Sequence, residues 1–296
     1  MRERIGAVAD TIEDQLGPIS LPRQPRAAIV WPRAHLGKDF TRRCLVRAAQ
    51  SVREGGAVWC AVRKSKGADT VADAMRTLIG PVDIVGRSKG YRLFRAECTR
   101  DRTKVWAEVL GQRYTITDED LLPGVSLHSA PGVFSRRGLD AGTAALMRYT
   151  AGLQLDAPKH MVDLCAGIGP LAIWAAKRWT ETKVTAVDSN LLAVSLARRN
   201  VEELGLSARV DVLASDGLPK SAAVDVELAL VNPPTHADAE SLTKLWTGLR
   251  KWLAPTARVI AVATRPGGVR DALVGIGAKV ESTTVPGYTI VDGRWG

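Results

Sequence analysis

The stretch MVDLCAGIGPLAIWAAKRWTETKVTAVDSNLLAVSLARRNVEELGLSARVDVLASD, residues 161–216, decides the fold. Three short apolar runs, MVDLCAG, KVTAVD and RVDVLASD, read as strands, and the segments between them, LAIWAAKRW and LLAVSLARRNVEEL, carry the period of helices. Strands alternating with helices of this length imply a parallel sheet covered on both faces. A sheet of that kind binds its ligand beyond the carboxyl ends of its strands, where the strand order reverses. The residues that follow each strand are therefore the ones to read for chemistry.

After the first strand come Asp163, Gly167 and Gly169, leading directly into a helix. Without a Cβ the backbone turns tightly and a ligand can lie against it, while the helix that follows presents free N–H groups. Taken alone this loop is ambiguous, because GIGPLA also fits a dinucleotide fingerprint and a glycine turn has many structural causes. Nineteen residues beyond Gly169 the second strand ends at Asp188, whose carboxylate suits the two hydroxyls of a ribose and equally suits capping the next helix together with Asn190. The third ends at Asp216, either an acceptor for an adenine amine or a turn residue before Gly217.

A fourth apolar run ends in Asn232, Pro233, Pro234, Thr235 and His236. Two prolines stiffen the loop and remove its donors, so the Asn232 amide oxygen and the Pro233 carbonyl can accept the hydrogens of an exocyclic amine. A dehydrogenase has no need of that arrangement. Asn232, Pro233 and Pro234 are thus the candidate catalytic residues.

Working outward, the segment around this loop occurs twice. AAIVWPRAH at 27–35 aligns with LALVNPPTH at 228–236, an offset of 201, and in the same register VWCAV at 58–62 meets VIAVA at 259–263. Both copies close on a two-strand pattern around Gly-Tyr, at Gly90 and Tyr91 and at Gly287 and Tyr288. Ahead of its loop the first copy has only some 30 residues, too few for the three strands and two helices found in the second, so it lacks half a sheet. It also carries Trp31 where the second has Asn232, and no catalysis is assigned to it. The segments TKVWAEV, 103–109, and RYTIT, 113–117, are expected to pair as a hairpin that covers the shortened edge.

Charge separates the two halves. The 296 residues carry net charge +10, and residues 1–150 hold 25 Lys and Arg against 16 Asp and Glu, whereas residues 151–296 hold 16 against 15. The excess gathers in RRCLVR, RKSK, RSKGYRLFR and TRDRTK, either a surface that neutralises phosphates or a generally soluble basic face. Apolar residues are 46% and charged residues 24%, ordinary globular usage with no run long enough to span a membrane. The opening MRERIGAVADTIEDQL lacks the apolar centre of a secretory signal, so the cytoplasm is the expected location. Cys44, Cys60, Cys98 and Cys165 are scattered, as are the four histidines, so reduced packing thiols and no bound metal are expected.

DLCAGIG, Asp188, Asp216 and NPP together resemble the amino-group-modifying class I S-adenosylmethionine-dependent methyltransferases. Pro131, Gly132, Val133, Phe134 and Ser135, followed by Leu139, Asp140, Gly142 and Thr143, sharpen the likeness to the bacterial ribosomal RNA guanine-N2 methyltransferases of the RsmC and RlmG types. The resemblance implies an α/β chain: a Rossmann-like, mostly parallel seven-stranded catalytic domain over 119–296, preceded over 1–118 by a truncated, degenerate copy that docks RNA. It implies S-adenosyl-L-methionine as cofactor and ribosomal RNA or a ribosomal subunit as partner; the oligomeric state is left open, with a monomer favoured. Cofactor contacts fall to Asp163, Gly167, Gly169, Asp188 and Asp216, with Phe134 and Ser135 as pocket wall. Two departures stand out: Cys165 and Ala166 replace the first two residues of the family's GCGxG loop, and Thr235 replaces a base-stacking aromatic, for which Phe134 is the candidate substitute. An adenine-N6 or glutamine methyltransferase, a non-catalytic RNA-binding assembly protein and a nicotinamide enzyme are the competing readings.

Overall fold

The structure, a computed structural model, describes residues 24–32, 37–218, 225–234 and 239–295. Arg33, His35, Thr235 and His236 lie outside them. The chain divides into two compact units, residues 1–113 with 130–134 and residues 114–129 with 135–296.

The first unit runs β1 (Ala27–Val30), α1 (Gly37–Ser51), β2 (Ala57–Arg63), α2 (Ala68–Leu78), β3 (Val82–Ser88), β4 (Tyr91–Glu97) and α3 (Thr103–Gly111). Its sheet has the order β1-β2-β4-β3, with β1 and β2 parallel and both β4 pairings antiparallel. Leu45, Val46 and Ala49 of α1 and Met75 and Leu78 of α2, at helical spacing, close over Val58, Cys60 and Phe94 of the sheet. Burial pushes the Cys60 thiol up to about 12, as befits a packing residue.

The expected hairpin over 103–117 does not form. Residues 103–109 lie in α3, where Trp106 and Val109 face inward three residues apart and the Trp106 indole donates to the Leu78 carbonyl at 2.6 Å. Helical spacing of the apolar residues outweighs their strand propensity. Tyr114–Asp118 (β5) instead pairs with Leu122–Ser129 (β6) in a separate two-stranded sheet, and among the described residues β1 pairs only with β2.

The second unit continues with α4 (Ala141–Gly152), β7 (His160–Leu164), α5 (Pro170–Arg178), β8 (Lys183–Asp188), α6 (Leu191–Glu203), β9 (Val210–Ala214), β10 (Val226–Val231), α7 (Ala239–Arg250), β11 (Leu253–Ala263), α8 (Gly267–Gly275), β12 (Lys279–Val285) and β13 (Tyr288–Arg294). Its seven strands take the order β12-β13-β11-β10-β7-β8-β9, all parallel except β13. The first unit reproduces one side of this sheet: β1, β2, β4 and β3 match β10, β11, β13 and β12 in order and direction. The counterparts of β7, β8 and β9 are the missing half.

Strand order reverses between β7 and β10, which are hydrogen-bonded neighbours although 61 residues separate the end of one from the start of the other. The register sets Leu213, Val187, Leu164 and Val231 on one line across the four central strands. The next residue of each, Ala214, Asp188, Cys165 and Asn232, therefore emerges at one level of the rim. Helix α4 is tied down beneath it. The Tyr149 hydroxyl donates at 3.3 Å to Asp292, a buried carboxylate on β13 that also holds Arg258 through two hydrogen bonds and Arg294 at 3.3 Å. Burial works to raise the Asp292 carboxyl, but the two arginines outweigh it and hold it below the usual range.

Candidate active site

The glycine loop is built by backbone geometry. Cys165, Gly167 and Gly169 all adopt positive φ, at 68°, 57° and 89°, and the N–H groups of Cys165 and Ala166 both donate to the Val187 carbonyl. The two glycines serve different needs. A β-carbon on Gly169 would stand 3.4 Å from that of Ala197 on α6, so this glycine lets two helices approach. One on Gly167 would meet nothing within 4 Å, so the space above it is open for a ligand. Cys165 shows how the departure from the family loop is accommodated: it takes the left-handed conformation itself, at a cost of about 1–2 kcal/mol.

Two carboxylates brace this loop. Asp163 is fully buried, and one oxygen accepts the Ala172 N–H in the first turn of α5 at 2.9 Å. The other oxygen has no partner among the described residues. Burial pushes its carboxyl up to about 7; the Ala172 bond opposes the shift and the Asp188 charge adds to it. Asp188 accepts the Gly167 N–H at 2.7 Å on one oxygen and the Asn190 N–H at 2.8 Å on the other. Burial raises its carboxyl too, against those bonds and one from Ser189. Since a carboxylate has about four acceptor positions and three are taken, Asp188 retains about one for a bound hydroxyl. Helix capping falls to Asn190, whose side chain accepts the Leu192 N–H. Asp216 lies exposed just past β9.

Asn232 is held at the rim by two hydrogen bonds. Its amide nitrogen donates to Asp140 Oδ2 and to Thr143 Oγ1, both at 2.9 Å. A carboxylate only accepts, so the nitrogen must face Asp140 and the amide oxygen is turned the other way. The same Asp140 oxygen accepts the Thr143 N–H at 2.9 Å and so caps α4. Gly142 makes room for this arrangement, since a β-carbon there would stand 3.0 Å from Asp140 Oδ2 and 3.1 Å from the Tyr288 ring. Pro233 is buried and Pro234 exposed.

The sequence motif contains Asp140, Gly142 and Thr143 but does not disclose that they orient Asn232, because the partners are about 90 residues apart. Asn200 carries no sequence signal at all. Buried on α6, it donates to the Ile168 carbonyl at 3.0 Å and accepts the His128 N–H at 2.7 Å, which fastens the glycine loop to β6. Of the expected pocket wall, Ser135 adopts φ 49° with its hydroxyl donating to the Gly138 carbonyl, whereas Phe134, 67% exposed, falls in the first unit. Among the described residues no cluster of three His, Cys, Asp or Glu is placed to hold a metal, and no helix is long and apolar enough to cross a membrane.

Strand order 3-2-1-4-5-7-6, a glycine loop after the first strand and an acidic residue ending the second define the class I methyltransferase fold. Residues 124–291 match the family model described as the methyltransferase small domain, and the chain belongs to that family. It is 35% identical over 129 residues to ribosomal RNA small subunit methyltransferase C of Pseudomonas putida strain GB-1, covering 44% of this chain and 36% of the relative. To ribosomal RNA large subunit methyltransferase G of Pseudomonas fluorescens strain Pf-5 it is 30% identical over 192 residues, 65% of this chain and 49% of the relative. The matches thus span about a third to a half of the length of these curated relatives. Among solved structures, the T. thermophilus 16S rRNA N2 G1207 methyltransferase in complex with AdoMet and guanosine shares the fold, with TM-score 0.78 and 20% identity over 92% of this chain and 73% of that one.

Proposed function

We propose that this protein methylates the exocyclic N2 amine of a guanine in ribosomal RNA, in the cytoplasm, with S-adenosyl-L-methionine as donor. The observation that carries the reading is the fixed polarity of Asn232, whose amide oxygen is left as an acceptor at the switch point of the sheet. The cofactor fits the residues present: Gly167 faces open space, Asp188 has an acceptor position to spare for a ribose hydroxyl, and the unpartnered buried oxygen of Asp163 suits a bound cationic amine, directly or through water. Asp216 is assigned to the adenine amine. When bound, the cofactor supplies an electrophilic methyl group on a sulfonium.

The chain's own contribution is placement, worth on the order of 7–11 kcal/mol when two reactants are held in line. Guanine N2 is a poor nucleophile because its lone pair is delocalised into the ring. Hydrogen bonds from the amine to the Asn232 oxygen and the Pro233 carbonyl favour a pyramidal nitrogen with its lone pair directed outward. An amine held this way would take the methyl group that the sulfonium supplies, and its proton, made acidic by the transfer, would pass to water, so no strong base would be required of the chain. The target base leaves its stack at a cost of a few kcal/mol, offset by phosphate contacts from the basic first unit.

Guanine is favoured over adenine by the substrate named for the T. thermophilus neighbour, since the Asn-Pro-Pro loop itself suits either amine. The deciding experiment is methylation of naked ribosomal RNA and of both subunits with labelled cofactor, followed by nucleoside analysis. N2-methylguanosine is expected; N6-methyladenosine transfers the reading to adenine, and no incorporation into any RNA overturns it.

A further inference from the structure

The first unit has a cavity of its own. About 810 Å³ in volume, it opens at the carboxyl ends of β1 and β2, bounded by the start of α1, by one face of α2 from Thr70 to Thr77 and by Tyr91 at the start of β4. This is the rim that in the second unit bears Asn232 and Tyr288, and the repeat sets Trp31 at the Asn232 position and Tyr91 at the Tyr288 position. The three strands whose loops carry the candidate cofactor residues have no counterpart here, so an adenosine cofactor has nothing to hold it. What remains is the half of the rim that faces a substrate.

The chemistry of that remnant has been changed. Trp31 is 64% exposed, an unusual state for an indole, and its ring lies 5.7 Å from that of Tyr91 at a tilt of 34°. The Arg63 guanidinium sits 5.2 Å from the Tyr91 centroid on the side of the cavity where the second copy carries Thr264. Lys38, Arg42 and Lys66 join Arg63 in the lining, against Asp39 and Asp73. Gly67, which caps the α2 N-terminus without a side-chain bond, lines the same space. Beyond Tyr91 the lining continues into a shallow groove over Lys64, Arg87, Lys89 and Arg92 at the tip of the β3–β4 hairpin.

An exposed aromatic face, cations around it and a basic groove leading away are the elements by which proteins hold single-stranded nucleic acid. We propose that this cavity binds one nucleotide of a single-stranded RNA segment, its base stacked on Trp31 and its flanking phosphates held by Lys38, Arg42, Arg63 and Lys66. The catalytic rim and its degenerate copy then engage two nucleotides of one substrate, one for chemistry and one for anchorage. The inference extends the RNA reading above, but its test uses binding in the absence of cofactor and so stands or falls apart from methyl transfer.

The full-length protein is titrated by fluorescence polarisation against a labelled single strand of about ten nucleotides, within the range one binding surface covers. Trp31→Ala is expected to weaken binding about 5- to 100-fold, with Trp31→Phe recovering most of the loss. Because stacking releases no counterions, the salt slope of Trp31→Ala stays that of wild type. Replacing Arg42 and Lys66 together with glutamine lowers the slope by about 0.7 for each phosphate no longer neutralised. Trp31 is exposed, so its replacement leaves the thermal midpoint in place, and a circular dichroism melt checks this. Unchanged affinity in a folded Trp31→Ala protein overturns the proposal. So does an equal loss with duplex RNA, or competition by guanosine monophosphate or S-adenosylmethionine as effective as that of the unlabelled strand.

Discussion

The rim of the second unit and the rim of the first are two versions of one construction. Each places an apolar strand, a proline-containing loop and a Gly-Tyr hairpin side by side, yet Asn232 in one is answered by Trp31 in the other. The difference teaches what a reacting site requires beyond a loop. In the second unit the amide is gripped by Asp140 and Thr143, and β7 with its glycine loop lies alongside. The first unit has no strand on that side of β1 among the described residues, and the residue there is a flat, exposed ring fitted for holding rather than reacting.

The contrast is broken most severely at its centre. Asn232→Ala is expected to lower kcat about 100- to 1,000-fold while cofactor affinity changes little, a loss typical of one preorganised polar group. Single-turnover methylation beside calorimetric titration of the cofactor checks this, and retained activity would falsify the role given to Asn232.

Next in size is Asp140→Ser. Serine still caps α4 but is too short to reach Asn232, so kcat should fall about 10- to 100-fold with the melting temperature close to wild type. Asp140→Asn, which keeps an oxygen in the shared position, should restore most of the rate. Were the two variants equally active, the Asp140 hydrogen bond would have no part in orienting the amide.

A smaller effect is set by pH. Because the folded Asp163 carboxyl lies near 7, above its ordinary value near 3.8, the folded state binds more protons than the unfolded chain between those limits. Its contribution to stability is therefore favourable in acid and is lost as pH rises from about 4 to about 7. Asp163→Asn should flatten that segment of a plot of melting temperature against pH, and an unaltered profile would place the carboxyl at an ordinary value.

The smallest effects sharpen the comparison by showing what the units still share. Gly90 and Gly287 occupy matching hairpin turns at φ 79° and 78°, and neither has an atom within 4 Å of an added β-carbon. Alanine at either position should cost about 1–2 kcal/mol from the left-handed backbone alone. Similar losses on denaturant unfolding are expected, and a much larger one at Gly90 would reveal packing absent from its counterpart.

The strands of 161–231 are legible because buried parallel strands are continuous apolar runs, and the ends of those runs locate Asp188 and Asn232 directly, whereas Asp163, expected after the first strand, lies inside β7 with its carboxylate buried against the first turn of α5. The duplication is legible because each copy keeps its loop and hairpin at nearly constant spacing. Residues 103–109 mislead because a short apolar segment with Val, Trp and Val satisfies both periods, and only packing of Trp106 under Leu78 separates them. The grip of Asp140 on Asn232 and of Asn200 on the glycine loop is beyond reach for a different reason. Hydrogen bonds spanning 92 and 32 residues depend on how helices settle on the sheet, and local pattern carries no trace of that.

The alignment of Leu213, Val187, Leu164 and Val231 across the central strands limits how this enzyme family can vary. A strand advances about 3.3 Å and reverses its side chain with every residue, so one amino acid inserted within β10 would carry Asn232 out of step with Cys165 and Asp188 and turn it to the opposite face. Loops beyond the rim are free to lengthen during evolution, whereas the strands beneath act as a ruler whose divisions must be inherited intact.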